Sequence, residues 1–364
     1  MTLYIVDIVA QKSMKIKLII LFGILIIFFI PPLLIANNFQ NWDNSIQETK
    51  IETFQVETYV DGFDIPWGMA FLPNKNLIVS DKNGDLWEIN SKNRIKTKIK
   101  SVPKVRYNGQ GGLLDVQVHP NFINNNYIYI GFTDFLKNKK KKTFTSIIRA
   151  MLIDNNLTDH KTIYKANDKY YSNRTVHYGT RIIFDKEGYL YFSIGDRGNR
   201  DQAQLLNTPN GKIHRLNDDG SIPEDNPFMK NDNAIKSIWT YGNRNPQGLA
   251  IHPTSLIIFE TEHGPKGGDE LNVLSSGNNY GWPEITYGKN YSGTTITKHT
   301  HKKGMEQPVI HWTPSIAVCG IDFYDGKIFK NWENNLLVTS LKFENLYRLE
   351  IKNNKVIEQE LVYH

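Results

Sequence analysis

Cysteine is almost absent from this chain. The single Cys319 among 364 residues excludes an internal disulfide and any cluster of thiolate metal ligands. Helical periodicity is equally scarce: beyond residue 50 no long stretch repeats its apolar residues every three or four positions, which leaves strands to build the core. Charge of one sign is in short supply too, with 43 Lys and Arg against 37 Asp and Glu for a net +6. Much of that excess sits in one run, Lys137 to Lys142, interrupted only by Asn138. A run of this kind reads as the solvated tip of a hairpin rather than a nucleic-acid surface, so no nucleic-acid partner is expected. A phosphate loop is also missing, because the glycine-rich Asn108-Gly109-Gln110-Gly111-Gly112 is not followed by Lys-Ser/Thr.

What is present is ordinary globular material, 40% hydrophobic and 22% charged. The 12% aromatic content leans towards strands. The one long apolar run, Leu18 to Ala36, follows Lys15 and Lys17. It reads as a signal peptide or an N-terminal membrane anchor over residues 1–36, with Met14 as an alternative start and a poor cleavage context at Leu34-Ile35-Ala36. Residues 37–50 form a polar tether, and residues 51–364 form one folded domain. The expected location is periplasmic or otherwise extracytoplasmic, secreted or tethered to a membrane through residues 18–36.

Within that domain one theme recurs. A glycine precedes a short apolar strand, a turn of Pro, Asn, Asp or Gly follows, and a second strand ends in small or acidic residues. It starts at Gly68, Gly112, Gly179, Gly248 and Gly320, with a leading strand near Phe54 to Val60. Repeated antiparallel units of this kind point to an all-β β-propeller, with sheets packed face to face around a central channel. The loops leading into the innermost strands then converge on one face.

Several of those loops carry chemistry. His177 precedes one strand of a hairpin and Asp196 follows the other, so both return to the same end of the sheet. A carboxylate accepting from one imidazole nitrogen makes the other a better base. A histidine satisfied in a loop and an aspartate capping a turn would give the same pattern. Tyr241 to Gly248 offers Arg244 with Asn243, Asn245 and Gln247 around a rigid proline. It suits recognition of an oxyanion or a salt bridge between loops. Glu262 to Glu270, with Tyr280 beyond it, is rich in oxygen donors and glycines and suits a hard cation such as Ca²⁺. Lys342 stands at the end of a strand beginning at Leu336, where a surface lysine would be unremarkable.

Taken in order, His177-Tyr-Gly-Thr-Arg181 with Ile194-Gly-Asp196, Gly242 to Gly248, Glu262 to Glu270, Asn279-Tyr-Gly-Trp-Pro283 and Pro314-Ser-Ile-Ala317 make the chain resemble the soluble pyrroloquinoline quinone (PQQ)-dependent sugar dehydrogenases, the aldose sugar dehydrogenase branch in particular. The likeness runs from about Phe63 to Leu349. It implies a six-bladed propeller and oxidation of an aldose at C1 to the lactone, with PQQ and Ca²⁺ as cofactors. It further implies that His177 is the general base oriented by Asp196, and that Arg244 and Asn245 lie over the quinone oxygens. Gln110 and Lys342 match cofactor-contacting positions, Lys342 meeting a carboxylate. The carbonyls of Gly264 and Pro265 match ligands of the cofactor-bound Ca²⁺, and Asp269, Glu270 and Tyr280 match a second, structural Ca²⁺ site. A cytochrome or a quinone would accept the electrons.

The chain departs from the family pattern at Thr180, where a smaller residue is usual, and at Cys319, where serine is commoner. Family members also continue past the position of His364 with a last set of strands. The expectation is therefore a six-bladed propeller lacking the C-terminal strands of its last blade, in a truncated product. Two other readings compete. One is a Ca²⁺-dependent propeller lactonase or hydrolase; the other is a propeller that binds a sugar or partner without catalysis.

Overall fold

The computed structural model describes residues 46–364. The apolar segment over residues 18–36, and the signal, anchor and most of the tether expected around it, lie outside the described residues. Among these residues no helix is long and apolar enough to cross a membrane.

The fold is all-β. Five four-stranded antiparallel sheets follow one another along the chain, each with its strands side by side in sequence order. A two-stranded ribbon comes first, β1 (Ile46–Glu48) with β2 (Thr53–Gln55). Sheet one holds β3 (Pro66–Phe71), β4 (Leu77–Asp81), β5 (Asp85–Ile89) and β6 (Lys96–Lys98). Sheet two holds β7 (Leu113–Val118), β8 (Tyr127–Leu136), β9 (Lys139–Ile153) and β10 (Asn156–Lys165). Sheet three holds β11 (Ile182–Phe184), β12 (Leu190–Ile194), β13 (Lys212–Leu216) and β14 (Ile238–Tyr241). Sheet four holds β15 (Pro246–Ile251), β16 (Ile258–Glu262), β17 (Asp269–Val273) and β18 (Ile310–Trp312). Sheet five holds β19 (Val318–Phe323), β20 (Leu336–Ser340), β21 (Leu346–Lys352) and β22 (Lys355–Tyr363).

The continuous apolar runs of the sequence are explained by burial on both faces. Successive side chains of a strand point to opposite faces, and here each face meets a different neighbour. Ile148 packs between sheets one and two while Ile147 packs between sheets two and three. Ile182 likewise joins the core between sheets two and three, and Ile183 the core shared with sheet four. Phe259, Leu271, Val318 and Leu336 fill the space between sheets four and five. The contacts run β3 to β7, β7 to β11, β11 to β15 and β15 to β19, so the first strand of each sheet lines the axis.

The described residues form five complete blades, β22 finishing the fifth, and no sixth four-stranded sheet is seen among them. Where a sixth sheet was expected, residues 46–63 cross instead. Phe54 and Val56 pack with Phe329, Trp332 and Val362 of the fifth unit, whereas Tyr59 and Phe63 pack on Leu77, Val79 and Ile89 of the first. This segment covers the two end faces incompletely, because Met69 and Phe71 of β3 stay 48% and 62% exposed.

Arg181, just before β11, crosses the axis. Its Nη1 donates to Asp115 Oδ1 of β7 at 2.8 Å, and its Nε donates to the Gln247 carbonyl of β15 at 3.0 Å. The guanidinium lies 4.5 Å from the Trp67 ring centre of β3. On β19, a methyl group added to Gly320 would come within 3.7 Å of Arg181 Nη2. One side chain therefore reaches the innermost strands of the other four sheets. Asp115 is fully buried, and burial pushes its carboxyl up against the opposing pull of Arg181 and the Ile182 and Val116 amides. Removing Arg181 leaves that carboxylate without its counter-charge. Arg181→Ala is expected to destabilise the fold by about 3–5 kcal/mol, measured by denaturant unfolding. The deficit should shrink as the pH falls and Asp115 takes up a proton.

Candidate active site

The loops leading into β7, β11 and β15 meet at the end of the molecule where β12 and β16 finish. Gln110, before β7, accepts the His177 backbone N–H through Oε1 at 2.6 Å, and its own N–H donates to the Thr175 carbonyl. His177 itself has a φ of +53°, a left-handed conformation uncommon outside glycine. That turn aims its imidazole across the hairpin at Asp196, with Nδ1 2.6 Å from Asp196 Oδ1. Asp196 is almost wholly buried. Its Oδ1 also accepts the Gly198 N–H, and its Oδ2 accepts the Trp282 indole N–H at 2.9 Å.

This wiring assigns the protons. With Nδ1 donating to the carboxylate, His177 Nε2 keeps its lone pair, and it has no hydrogen-bond partner among the described residues. Burial resists the charge on Asp196, yet the His177 hydrogen bond, the His177 and Arg244 charges and the Gly198 amide together hold its pKa below the usual value. Burial also depresses the pKa of His177 by more than the Asp196 hydrogen bond and charge restore, and the Arg244 and Arg197 cations add to the lowering. The imidazole is thus neutral near pH 7 and available as a base.

Arg244, in the loop between β14 and β15, is 6% exposed. Its Nη1 donates to the carbonyls of His263 and Gly264, both at 2.8 Å, and its guanidinium lies 5.4 Å from the Trp282 ring centre. Glu262 Oε2 accepts the backbone N–H groups of both Arg244 and Asn245. Burial pushes Glu262 up to about 7 despite those bonds. The Asn245 side-chain oxygen accepts from the Gly179 N–H and from Gln247, tying the Arg244 loop to the His177 loop. The Asp196 N–H donating to the Arg244 carbonyl closes the same circuit.

Lys342 lies on a different wall. It lines a cleft of about 750 Å³ with Pro265, Lys266, Lys289 and Ser315, and its Nζ donates to the Ser315 carbonyl at 3.3 Å. Three lysines around one cleft suit a flat polyanionic group.

The residues expected to hold calcium are mostly engaged elsewhere. Asp269 and Glu270 are consecutive in β17, so they face opposite sides of the sheet. Asp269 accepts from the Gly264 N–H, the Ser315 hydroxyl and the Val318 N–H. The Tyr280 hydroxyl donates to the Val273 carbonyl and accepts from the Ser275 N–H. The Gly264 carbonyl already accepts Arg244, while Pro265 opens onto the Lys342 cleft. Among the described residues no three His, Cys, Asp or Glu side chains gather as a metal site. Glu270 and Tyr280 nevertheless line one small cavity with Glu262, Gly264 and Thr286, whereas Asp269 is turned away from it and held by its own donors. Oxygen donors without partners sit deeper: Glu260 Oε1 and Asn272 Oδ1 are buried beside Glu262 and Glu270. Burial, with the neighbouring carboxylates, raises Glu260 and Glu270 well above the usual range.

Two functional side chains were not singled out by the sequence. Trp282 fixes Asp196 and lies against Arg244, and only its place in the Asn279-Tyr-Gly-Trp-Pro283 motif hinted at it. Arg197 is fully buried with its guanidinium 3.5 Å from the Tyr178 ring centre. It donates to the carbonyls of Val176 and Arg174, which shapes the loop carrying His177. The adjacency of Arg197 to Asp196 was its only signal.

A family model described as glucose/sorbosone dehydrogenase matches residues 63–364. The chain belongs to this family. It is 38% identical over 309 residues to the aldose sugar dehydrogenase YliI of Escherichia coli K12, an alignment spanning 84% of this chain and 83% of that protein. Among solved structures, a glucose dehydrogenase superposes with a TM-score of 0.80 at 36% identity, over 84% of this chain and 88% of the other. The PQQ-bound aldose sugar dehydrogenase of Streptomyces coelicolor does so with a TM-score of 0.70 at 27% identity, over 84% and 83% of the two chains.

Two outcomes follow for this member of the family. Asp196→Asn removes the group that sets the tautomer and should lower kcat by about 10²–10⁴-fold. It also removes an interaction that raises the His177 pKa, so the acid limb of the pH–rate profile should move to lower pH. Trp282→Phe keeps the ring against Arg244 but loses the indole N–H. A smaller fall in kcat, with KM for the sugar little changed, is the expected result of steady-state assays.

Proposed function

We propose that the protein oxidises aldoses at C1 to the corresponding lactone, with PQQ as its redox cofactor. The observation carrying this reading is the His177–Asp196 pair, in which a buried carboxylate holds a half-buried imidazole neutral with Nε2 unpartnered. It stands in a chain matched over most of its length by sugar dehydrogenases, and the PQQ-bound Streptomyces structure supports the choice of cofactor. When bound, the quinone supplies the acceptor for the hydride leaving C1.

The protein's share is positioning and proton transfer. His177 Nε2 takes the proton of the C1 hydroxyl, and the fixed Asp196 carboxylate stabilises the imidazolium that results. Arg244, held by two carbonyls and beside Trp282, brings a cation to the same mouth, where it favours negative charge developing on a quinone oxygen. Gln110 holds the His177 backbone and has an amide nitrogen left for the cofactor. Asn245 joins the Arg244 and His177 loops. Lys342, with Lys266 and Lys289, receives cofactor carboxylates in the cleft beside Pro265. No step is assigned to calcium. An acceptor outside the active site takes the electrons, and the protein works in an extracytoplasmic compartment.

The test is to add PQQ to the purified chain and follow dye reduction with a panel of aldoses. Turnover that His177→Ala lowers by at least about 10²-fold, with PQQ still bound, is the expected result. Lys342→Ala should instead weaken PQQ binding in a fluorescence titration while leaving the pH profile of the remaining activity in place. A chain that binds no PQQ, or whose turnover survives the loss of His177, would overturn the assignment.

A further inference from the structure

The lysine run of the sequence forms the tip of the β8–β9 hairpin, where Leu136 pairs with Lys139. Its position in the fold is informative. In an antiparallel sheet the β8–β9 turn lies at the end where β7 begins, and β7 begins immediately after Gln110 and its glycines. That end is the mouth holding His177. The hairpin also touches the site: Thr143 of β9 hydrogen-bonds the Tyr178 hydroxyl and accepts from Arg197. Lys141 lines a small cleft with Thr175 and Tyr178, which flank His177.

On its other side the hairpin bounds a groove of about 980 Å³, to which Lys104, Lys137, Lys139, Lys140, Lys142 and Lys169 contribute. Among the described residues these six ammonium groups have no carboxylate partner. Only the neighbouring Lys165 is paired, with Asp134. Concentrated like charge is self-repulsive and adds nothing to affinity for a neutral sugar. An aldose carries no charge, yet its oxidation has a second obligatory participant. Breaking the C1–H and O–H bonds and forming the lactone carbonyl releases two electrons and two protons. His177 takes only the hydroxyl proton and passes it to water; the C1 hydrogen leaves as hydride, and its two electrons must then move on to a carrier.

We propose that the lysine hairpin and its groove are the docking surface for an acidic electron-carrier protein, which collects those two electrons one per encounter. The inference rests on the reading of the chain as an aldose dehydrogenase. A protein fits better than an anionic bilayer. The surface is concave, is interrupted by Asp134 and Asp168, and includes the half-buried Phe135 and Leu136. A partner's carboxylates and apolar side chains can enter such a groove, whereas a flat headgroup plane cannot. Weak redox encounters use small, charge-steered contacts of this kind.

The experiment compares the full PQQ-loaded chain with a Lys137→Glu/Lys139→Glu/Lys140→Glu variant and a milder variant with Gln at the same three positions. Three probes are used: an acidic c-type cytochrome as acceptor, a neutral ferrocene mediator, and vesicles containing anionic phosphatidylglycerol. At low salt the cytochrome rate constant should fall about tenfold or more in the Glu variant and less in the Gln variant. Its dependence on ionic strength should flatten, and the ferrocene rate should be unchanged. Titration with pre-reduced cytochrome should show binding to the parent chain that the Glu variant loses. That arm decides the docking question even if no sugar is oxidised, which would count against the dehydrogenase reading alone. Equal cytochrome rates in all three proteins, no binding of reduced cytochrome by the parent chain, or vesicle binding lost while cytochrome binding is kept would each overturn the proposal.

Discussion

Arg181 sits where the innermost strands converge, and the arrangement of the five sheets depends on what it holds. A propeller's first strands carry backbone and short side chains towards an axis that no single sheet can fill. Here a guanidinium spans that space, paired with Asp115, bonded to the Gln247 carbonyl and laid against Trp67. A planar, permanently charged group with five donors suits the task, because it can address several strands at once without losing its proton. The compensation is mutual. Arg181 limits the cost of burying Asp115, and Asp115 in turn accepts the Ile182 N–H at the start of β11.

That axial tie has a consequence at the mouth. Arg181 lies four residues after His177, and Gln247 three after Arg244, so the contact between them sets how closely the two catalytic loops approach. The bonds from Gly179 to Asn245 and from Asp196 to Arg244 complete the closure. The site is therefore a set of lead-in loops whose spacing is fixed by strand packing beneath them, which is the kind of support that holds catalytic groups to small tolerances. Electrostatics then divides the labour. The same burial that keeps His177 neutral leaves Asp196 ionised, because only Asp196 has a nearby cation, an indole donor and a backbone amide to stabilise its charge.

The strand–turn–strand repeat was legible because period-two alternation and glycine–proline punctuation are local properties. The His177–Asp196 pairing was legible for the same reason, since a tight hairpin brings its flanks together whatever surrounds it. The oxygen-rich stretch was legible only in part. The pleat turns Asp269 and Glu270 apart, and it takes the packing of whole sheets to lay Glu270 beside Glu262 and Tyr280 around one cavity. The completeness of the fifth blade was not legible either. Counting repeats cannot show that β22 completes the fifth sheet, or that residues 46–63 lie over the two end faces.

The sequence alone determined the sheet-forming units, their order, and which loops carry the imidazole, the guanidinium and the lysines, because these follow from side-chain period and chain direction. Only the tertiary structure decided that Trp282 grips Asp196, that Arg197 moulds the His177 loop, and that the lysine hairpin borders the mouth. Those contacts join residues from 21 to 86 positions apart, and such distances close only when whole sheets pack around one axis.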